Sequence, residues 1–285
     1  MSADAVVLGA GSSARMGGAD KLLADLEGDP VIVWSLRAFE ACQGIRAVVV
    51  TVSEHNETSI REAVAQAGLA KVRAFVRGGS SRAESVLHGL RALDRDPRKT
   101  PVVFEDPDAL APSPGGEGWS LPRTRSGGEG SSGLDHRVKQ GSLDSEPPEY
   151  VAVHDGARPL VTPSIIEDGL RMARVYGAAV TAVPATDTLK IVDRERLVVR
   201  TPLRSSVWHA QTPQFARFAD LLGAHERQTA MLDLYTDDVS VLEAEGLPVR
   251  VFEGSRENLK ITTPDDLDAA ARIVRQRRAT VGSGS

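Results

Sequence analysis

Cysteine is almost missing from this chain: Cys42 stands alone among 285 residues. It has no partner for an internal disulfide and gives no metal cluster, in keeping with a reducing compartment. Long apolar runs are missing too. None approaches the ~20 residues needed to cross a bilayer, which excludes an integral membrane protein built from helices. The first thirty residues include Asp4, Asp20, Asp25 and Glu27 and show no basic start followed by an apolar stretch, so a cytoplasmic protein is expected. There is no excess of positive charge. The net charge of −5 argues against a nucleic-acid partner. Aromatic residues make up only 4%, beside 41% hydrophobic and 26% charged residues, a balance that fits a soluble α/β or α protein. The length corresponds to one large domain or two small ones and suffices for a real core; the reading adopted is one domain over 1–285.

One stretch is short of hydrophobic residues in particular. Glu105 to Glu149 contains 8 Gly, 7 Ser and 6 Pro but only five residues from Val, Ile, Leu and Phe. It cannot bury enough apolar surface to offset its ordering entropy and reads as a disordered surface insertion, with a lid or a partner-binding segment as the alternative. Its nine acidic and four basic side chains account for the whole net charge, because the other 240 residues hold thirty of each sign. The closing Gly282-Ser283-Gly284-Ser285 reads as a flexible tail.

Elsewhere the pattern alternates. Short β-branched runs at Val6–Leu8, Ala47–Val52, Val72–Val76, Tyr150–Val153 and Ala179–Val183 predict strands. Helical spacing marks 31–41, 58–67, 81–93 and 164–176. Strands alternating with helices of 10–15 residues predict an α/β fold: a Rossmann-like, mostly parallel sheet with helices on both faces. Thr188–Ile191 and Leu197–Val199, around the charged Asp193-Arg194-Glu195-Arg196, break this rhythm. They predict a protruding β-arm within 187–204, either a plain surface hairpin or an arm that reaches a second subunit.

Two constellations carry candidate chemistry. The first strand runs into Gly9-Ala10-Gly11-Ser12-Ser13-Ala14-Arg15-Met16, followed by Lys21. Small residues there let backbone N–H groups approach phosphate oxygens. Gly9-x-Gly11-x-x-Ala14 also matches a dinucleotide fingerprint, so an NAD(P)-dependent oxidoreductase is the rival reading. Against it, Leu22–Gly28 makes a poor second strand for a ribose-binding acid, and Arg15 and Lys21 supply more charge than a pyrophosphate bridge needs. The second constellation is Val153-His154-Asp155-Gly156-Ala157-Arg158-Pro159. A carboxylate at the carboxyl end of a parallel strand faces the ligand crevice of open α/β sheets and can hold Mg²⁺ on nucleotide phosphates; Asp155 as a helix cap is the alternative. His154 is expected to pack or to hydrogen-bond rather than to react.

Together these segments resemble sugar-phosphate nucleotidyltransferases. Within them the chain is similar to the 2-C-methyl-D-erythritol 4-phosphate cytidylyltransferase family. The resemblance rests on the Gly9–Met16 loop with Lys21, on Gly78-Gly79-Ser80-Ser81-Arg82-Ala83-Glu84-Ser85 and on His154–Pro159. Asp187-Thr188-Leu189-Lys190, Trp208–Phe215, Tyr235-Thr236-Asp237-Asp238 and Asn258–Thr262 complete it, over about 1–104 and 150–276. Ser13 stands where the family usually has Gly, and Gly156 where Ala is common, a change expected to be harmless.

The resemblance implies transfer of a cytidylyl group from CTP to a polyol phosphate, with ribitol 5-phosphate as the alternative acceptor. It implies Arg15 and Lys21 as the transition-state stabilisers and Mg²⁺ as cofactor on Asp155. Ala10, Gly11 and Lys21 then bind the phosphates, and Gly79, Arg82 and Ser85 the cytosine and ribose. Thr188, Arg204, Thr212, Thr236 and Lys260 fall to the acceptor. The family also implies a homodimer with exchanged arms.

Overall fold

The computed structural model describes residues 2–11, 20–94 and 146–282. Ser13, Arg15, residues 105–145 of the proposed insertion and the tail 283–285 lie outside the described residues.

The chain opens with β1 (Ala3–Leu8), followed by a two-residue pair, β2 (Asp25–Leu26) and β3 (Asp29–Pro30). The turn between that pair is Glu27-Gly28, both at positive φ, which suits the twist of a tight hairpin. Then come α1 (Val31–Ala41), β4 (Ile45–Val52), α2 (Glu57–Gln66), β5 (Val72–Arg77) and α3 (Arg82–Asp94). After residue 146 follow β6 (Tyr150–Asp155), α4 (Pro163–Tyr176), β7 (Ala178–Pro184), β8 (Ile191–Val192) and β9 (Val198–Arg200). The last elements are β10 (Trp208–Arg217), α5 (Phe218–Arg227), α6 (Asp238–Ala244), β11 (Arg250–Glu253) and α7 (Pro264–Gly282). Among the described residues no helix is long and apolar enough to cross a membrane.

Seven strands form one sheet in the order β11-β7-β10-β6-β1-β4-β5. Four of its pairings are parallel; β10 alone runs against both its neighbours. The strand period of two sorts side chains between the faces. Ala5, Val7, Val48, Val50 and Ala152 join Ile32, Leu36 and Phe39 of α1, Ile60 of α2 and Ile166 and Leu170 of α4 on one side. Val6, Val49, Val151 and Val153 meet Val86, Leu87 and Leu90 of α3, Leu221 of α5 and Val241 of α6 on the other. This is the doubly covered, mostly parallel sheet that the alternating pattern predicts. A smaller apolar cluster seats α7 against the β2–β3 hairpin through Leu26, Val31, Ile261, Ala270 and Val274.

β8 and β9 pair antiparallel as a separate small sheet. Ile191, Val192, Leu197, Val198, Val199 and the nearby Leu203 are 41% to 74% exposed, so no surface of the described chain covers them.

Candidate active site

The carboxyl ends of β1, β4, β5 and β6 surround a cleft of about 380 Å³. Between the lining residues Leu8 and Ala10, Gly9 follows β1 and donates its N–H to the Thr51 carbonyl (2.8 Å) and Thr51 Oγ1 (3.2 Å). A Cβ at Gly9 would lie 2.6 Å from that carbonyl, so only glycine lets the chain leave β1 this close to β4. Ala10 and Gly11 continue along the cleft wall, with Lys21 re-entering beside them. Gly156 is held as tightly on the other side. Its N–H donates to the Leu8 carbonyl at 2.9 Å, and a Cβ there would come within 2.8 Å of the same oxygen. An alanine at this position would need the backbone to shift, and the glycine present here lets the two strands approach without that adjustment.

The opposite wall is the start of α3. Glu84 Oε2 accepts from Ser80 N–H (2.6 Å) and Ser80 Oγ (2.7 Å), and these bonds hold its carboxyl below the ordinary range. Ser85 Oγ accepts from Gly79 N–H at 3.0 Å and donates to the Ser81 carbonyl at 2.9 Å, so the hydroxyl shapes the glycine turn from within.

Asp155, at the end of β6, is the electrostatic centre. Its Oδ1 accepts from Arg82 Nε (3.1 Å) and Nη2 (3.0 Å), and its Oδ2 accepts from Lys260 Nζ (2.8 Å). Burial alone raises the pKa of this carboxyl, but the positive charges of Arg82 and Lys260 outweigh it and hold the group well below the usual carboxylate range. Arg82 turns its other edge to Asp238, with Nη1 on Oδ1 (2.7 Å) and Nη2 on Oδ2 (2.9 Å). Burial disfavours its charge, and the two carboxylates more than restore it. Arg82 thus ties α3, β6 and α6 into one corner of the site. Among the described residues three cations, Lys21, Arg82 and Lys260, share the cleft lining with one carboxylate, a balance suited to a polyanionic ligand.

Beneath Asp155 lies a directed chain of hydrogen bonds. Asp155 N–H donates to Thr212 Oγ1 (3.0 Å), and Thr212 Oγ1 donates to His154 Nδ1 (3.1 Å). His154 Nε2 in turn donates to the Arg158 carbonyl (3.2 Å). This assignment needs a neutral imidazole with its proton on Nε2. Burial holds it neutral, with the pKa pushed down to about 3.

Eight of the thirteen residues singled out from the sequence meet in this cleft: Ala10, Gly11, Lys21, Gly79, Arg82, Ser85, Asp155 and Lys260. Thr212 is buried below Asp155 rather than facing the cleft. Thr188, Arg204 and Thr236 are exposed and do not line it; Arg204 donates to the Thr186 carbonyl at 3.2 Å. Asp238 is a site residue that sequence reasoning does not single out, although it lies in the quoted Tyr235–Asp238 motif, because its partner Arg82 is 156 residues away. His154 hydrogen-bonds, as expected of it.

Comparison with known proteins agrees with this geometry. The family model for IspD, 2-C-methyl-D-erythritol 4-phosphate cytidylyltransferase, matches residues 3–108 and 129–276. The gap between the two matches, 109–128, falls inside 105–149. The protein of that name from Pelotomaculum thermopropionicum is 35% identical over 276 residues, covering 96% of this chain and 94% of the relative. One from Dehalococcoides mccartyi is 35% identical over 274 residues, covering 96% of each. The crystal structure of 4-diphosphocytidyl-2C-methyl-D-erythritol synthase from Anaerococcus prevotii matches with a TM-score of 0.70 at 22% identity, covering 96% of each chain, and bears on the fold alone. Matched by the family model on both sides of that gap, and by full-length relatives at this identity, the chain belongs to the 2-C-methyl-D-erythritol 4-phosphate cytidylyltransferase family.

Proposed function

We propose that this protein transfers a cytidylyl group from CTP to 2-C-methyl-D-erythritol 4-phosphate, giving CDP-methylerythritol and pyrophosphate. The observation that carries the reading is the cationic cleft at the carboxyl ends of the strands, with Ala10, Gly11 and Lys21 on one wall and Gly79 and Arg82 on the other. An oxygen of the acceptor phosphate attacks the α-phosphorus of CTP, and the bond to the bridging oxygen of the departing pyrophosphate breaks. A phosphomonoester is mostly dianionic at neutral pH, so the nucleophile needs no general base. The residues' task is to bring two anions together and to stabilise the charge on the α-phosphoryl oxygens. Lys21 supplies fixed positive charge from the phosphate side of the cleft, with Arg15 assigned to the same task by the family pattern. Gly79 permits close approach of the flat cytosine. Arg82 holds Asp155 and the start of α3 in place.

The donor set fits Mg²⁺ held mainly by substrate. Asp155 is ionised and lines the cleft, and among the described residues no group of three acidic, histidine or cysteine side chains offers a cage. One carboxylate completed by phosphate oxygens and water is the usual arrangement for this ion, which would neutralise and orient the triphosphate. Lys260 shares Asp155 and stands ready for the acceptor's phosphate.

The acceptor side is completed by a second subunit. Thr188 and Arg204 flank a hairpin whose apolar side chains are uncovered, and a two-stranded arm is marginal unless it packs on something. A homodimer exchanging arms about a two-fold axis meets that need and sends Arg204 to the partner's site. The deciding experiment follows pyrophosphate release from CTP with methylerythritol phosphate or ribitol 5-phosphate as acceptor. Preference for the first supports the reading; preference for the second reassigns the acceptor; no release with either removes the activity.

A further inference from the structure

Asn56, at the N-terminus of α2, does not line the cleft, and its residue type suggests an ordinary helix cap. Its side chain makes no cap bond to its own helix. We propose that Asn56 is the positioning residue of the phosphate-binding wall: one carboxamide holds both backbone stretches that form it. The assignment rests on the reading of Ala10, Gly11 and Lys21 as the triphosphate site.

Asn56 is 2% exposed. Its Oδ1 accepts from Ser53 N–H at 2.9 Å, which fixes the orientation of the amide. Its Nδ2 therefore points its two N–H groups at two acceptors, the Gly9 carbonyl (2.9 Å) and Asp20 Oδ2 (2.7 Å). Gly9 immediately precedes Ala10 and Gly11, and Asp20 immediately precedes Lys21. The second bond is made to a carboxylate, the stronger kind. Asp20 uses its other oxygen, Oδ1, to accept from Leu22 N–H at 2.9 Å, and Leu22 is buried in the core. The backbone of Lys21 is thus held on both sides, and one side chain links it to the stretch that leads into Ala10. The chemistry is specific to asparagine. Two acceptors face the position, so a carboxylate there would have nothing to donate and would repel Asp20.

Asn56→Asp is the informative variant, because aspartate is a good helix N-cap and α2 keeps its start. In the ligand-free protein, amide hydrogen exchange should quicken about 10-fold or more around 9–11 and 20–24, the scale of losing a hydrogen bond to a charged group, while α2 and β4 keep their protection. In the assay, kcat/KM for CTP should fall about 30-fold on the same scale, with the KM for the acceptor within about twofold. Adding Asp20→Asn should return the exchange around 20–24 at least about fivefold towards wild type, because the pair is then reversed: the new carboxamide donates to the new carboxylate, and its oxygen keeps the Leu22 N–H, while 9–11 stays fast because the Gly9 carbonyl still lacks its donor. Unchanged exchange at both stretches, equal loss of protection in α2, or no recovery in the double variant would overturn the clamp. If the wild-type protein transfers no cytidylyl group, the functional reading falls, and the exchange data still decide the clamp by themselves.

Discussion

The cleft and the β8–β9 hairpin are built on opposite terms. In and just behind the cleft, polar groups are partnered within the same chain: Asp155 with Arg82 and Lys260, Arg82 with Asp238, and Asn56, behind the wall, with Gly9 and Asp20. In and beside the hairpin six large apolar side chains stand uncovered, and short-range bonds hold the turn, such as Asp193 Oδ1 accepting from the N–H groups of Glu195 and Leu197. In the proposed reading, the described nucleotide half of the site is drawn from one chain and the acceptor half calls on a second. The nearness of Thr188 and Arg204 to the uncovered hairpin is what would tie catalysis to assembly in that reading.

The contrast breaks most visibly at Lys21. Replacing it by alanine should lower turnover at saturating CTP by at least ~100-fold, the scale for one preorganised stabiliser; near-normal turnover would remove it from the mechanism. Mixing tests the other half. Arg204→Ala and Lys21→Ala subunits, each inactive alone, should recover about a quarter of wild-type activity after random exchange, since half the dimers are mixed and each has one intact site. Verified exchange with no recovery would place Arg204 outside its partner's site. Asp155→Asn, checked for folding by circular dichroism, should raise the Mg²⁺ concentration for half-maximal activity by about 10-fold. Full activity in excess chelator would end the metal assignment.

Smaller effects sharpen the picture. His154 is kept neutral down to a pKa of about 3, so between the ordinary histidine value near 6.5 and that point only the unfolded chain takes up the proton. Stability should fall as the pH drops through this window, by up to about 1.4 kcal/mol per pH unit for this group, read as a lower urea midpoint at pH 5.5 than at 7.5. His225, also buried and lowered, adds to the slope. Asp155 acts in the same direction but lower, below about pH 4, where its unfolded form protonates first. A flat midpoint from 7.5 to 5.5 would show that His154 is protonated in the folded protein. The least effect belongs to residues 109–128, which the family model leaves unmatched. A short Gly/Ser replacement should keep turnover within about twofold, because each doubling of a loop costs only ~0.6 kcal/mol.

Much of this is legible in the sequence. α1 matches the expected helix at both ends, because Val31, Leu36 and Phe39 repeat at helical spacing and all are buried. The parallel strands follow from their β-branched runs. β10 does not read as a strand, since Gln211, Thr212 and Gln214 look like loop residues. They are buried because each finds a partner: Gln214 Oε1 accepts from the Asp238 and Val239 N–H groups, and Thr212 from Asp155. Cleft residues carried by glycine motifs are visible because the motif is local. Links such as Arg82 to Asp238 and Asn56 to Asp20 depend on which distant segments the fold brings together, and no local pattern encodes that.

The place of β1 in the sheet has a consequence in time. β1 pairs with β4 on one side and with β6 on the other, from Ala3 opposite Tyr150 to Leu8 opposite Asp155. During synthesis β4 is available early, but roughly 100 more residues must be made before β6 appears, about 5–20 s at ordinary elongation rates. Until then the nascent chain carries an apolar strand with one open edge. Anything that lengthens the connection before β6 prolongs that exposure, and its mark would be seen in the yield of folded protein at the ribosome before it is seen in the finished enzyme.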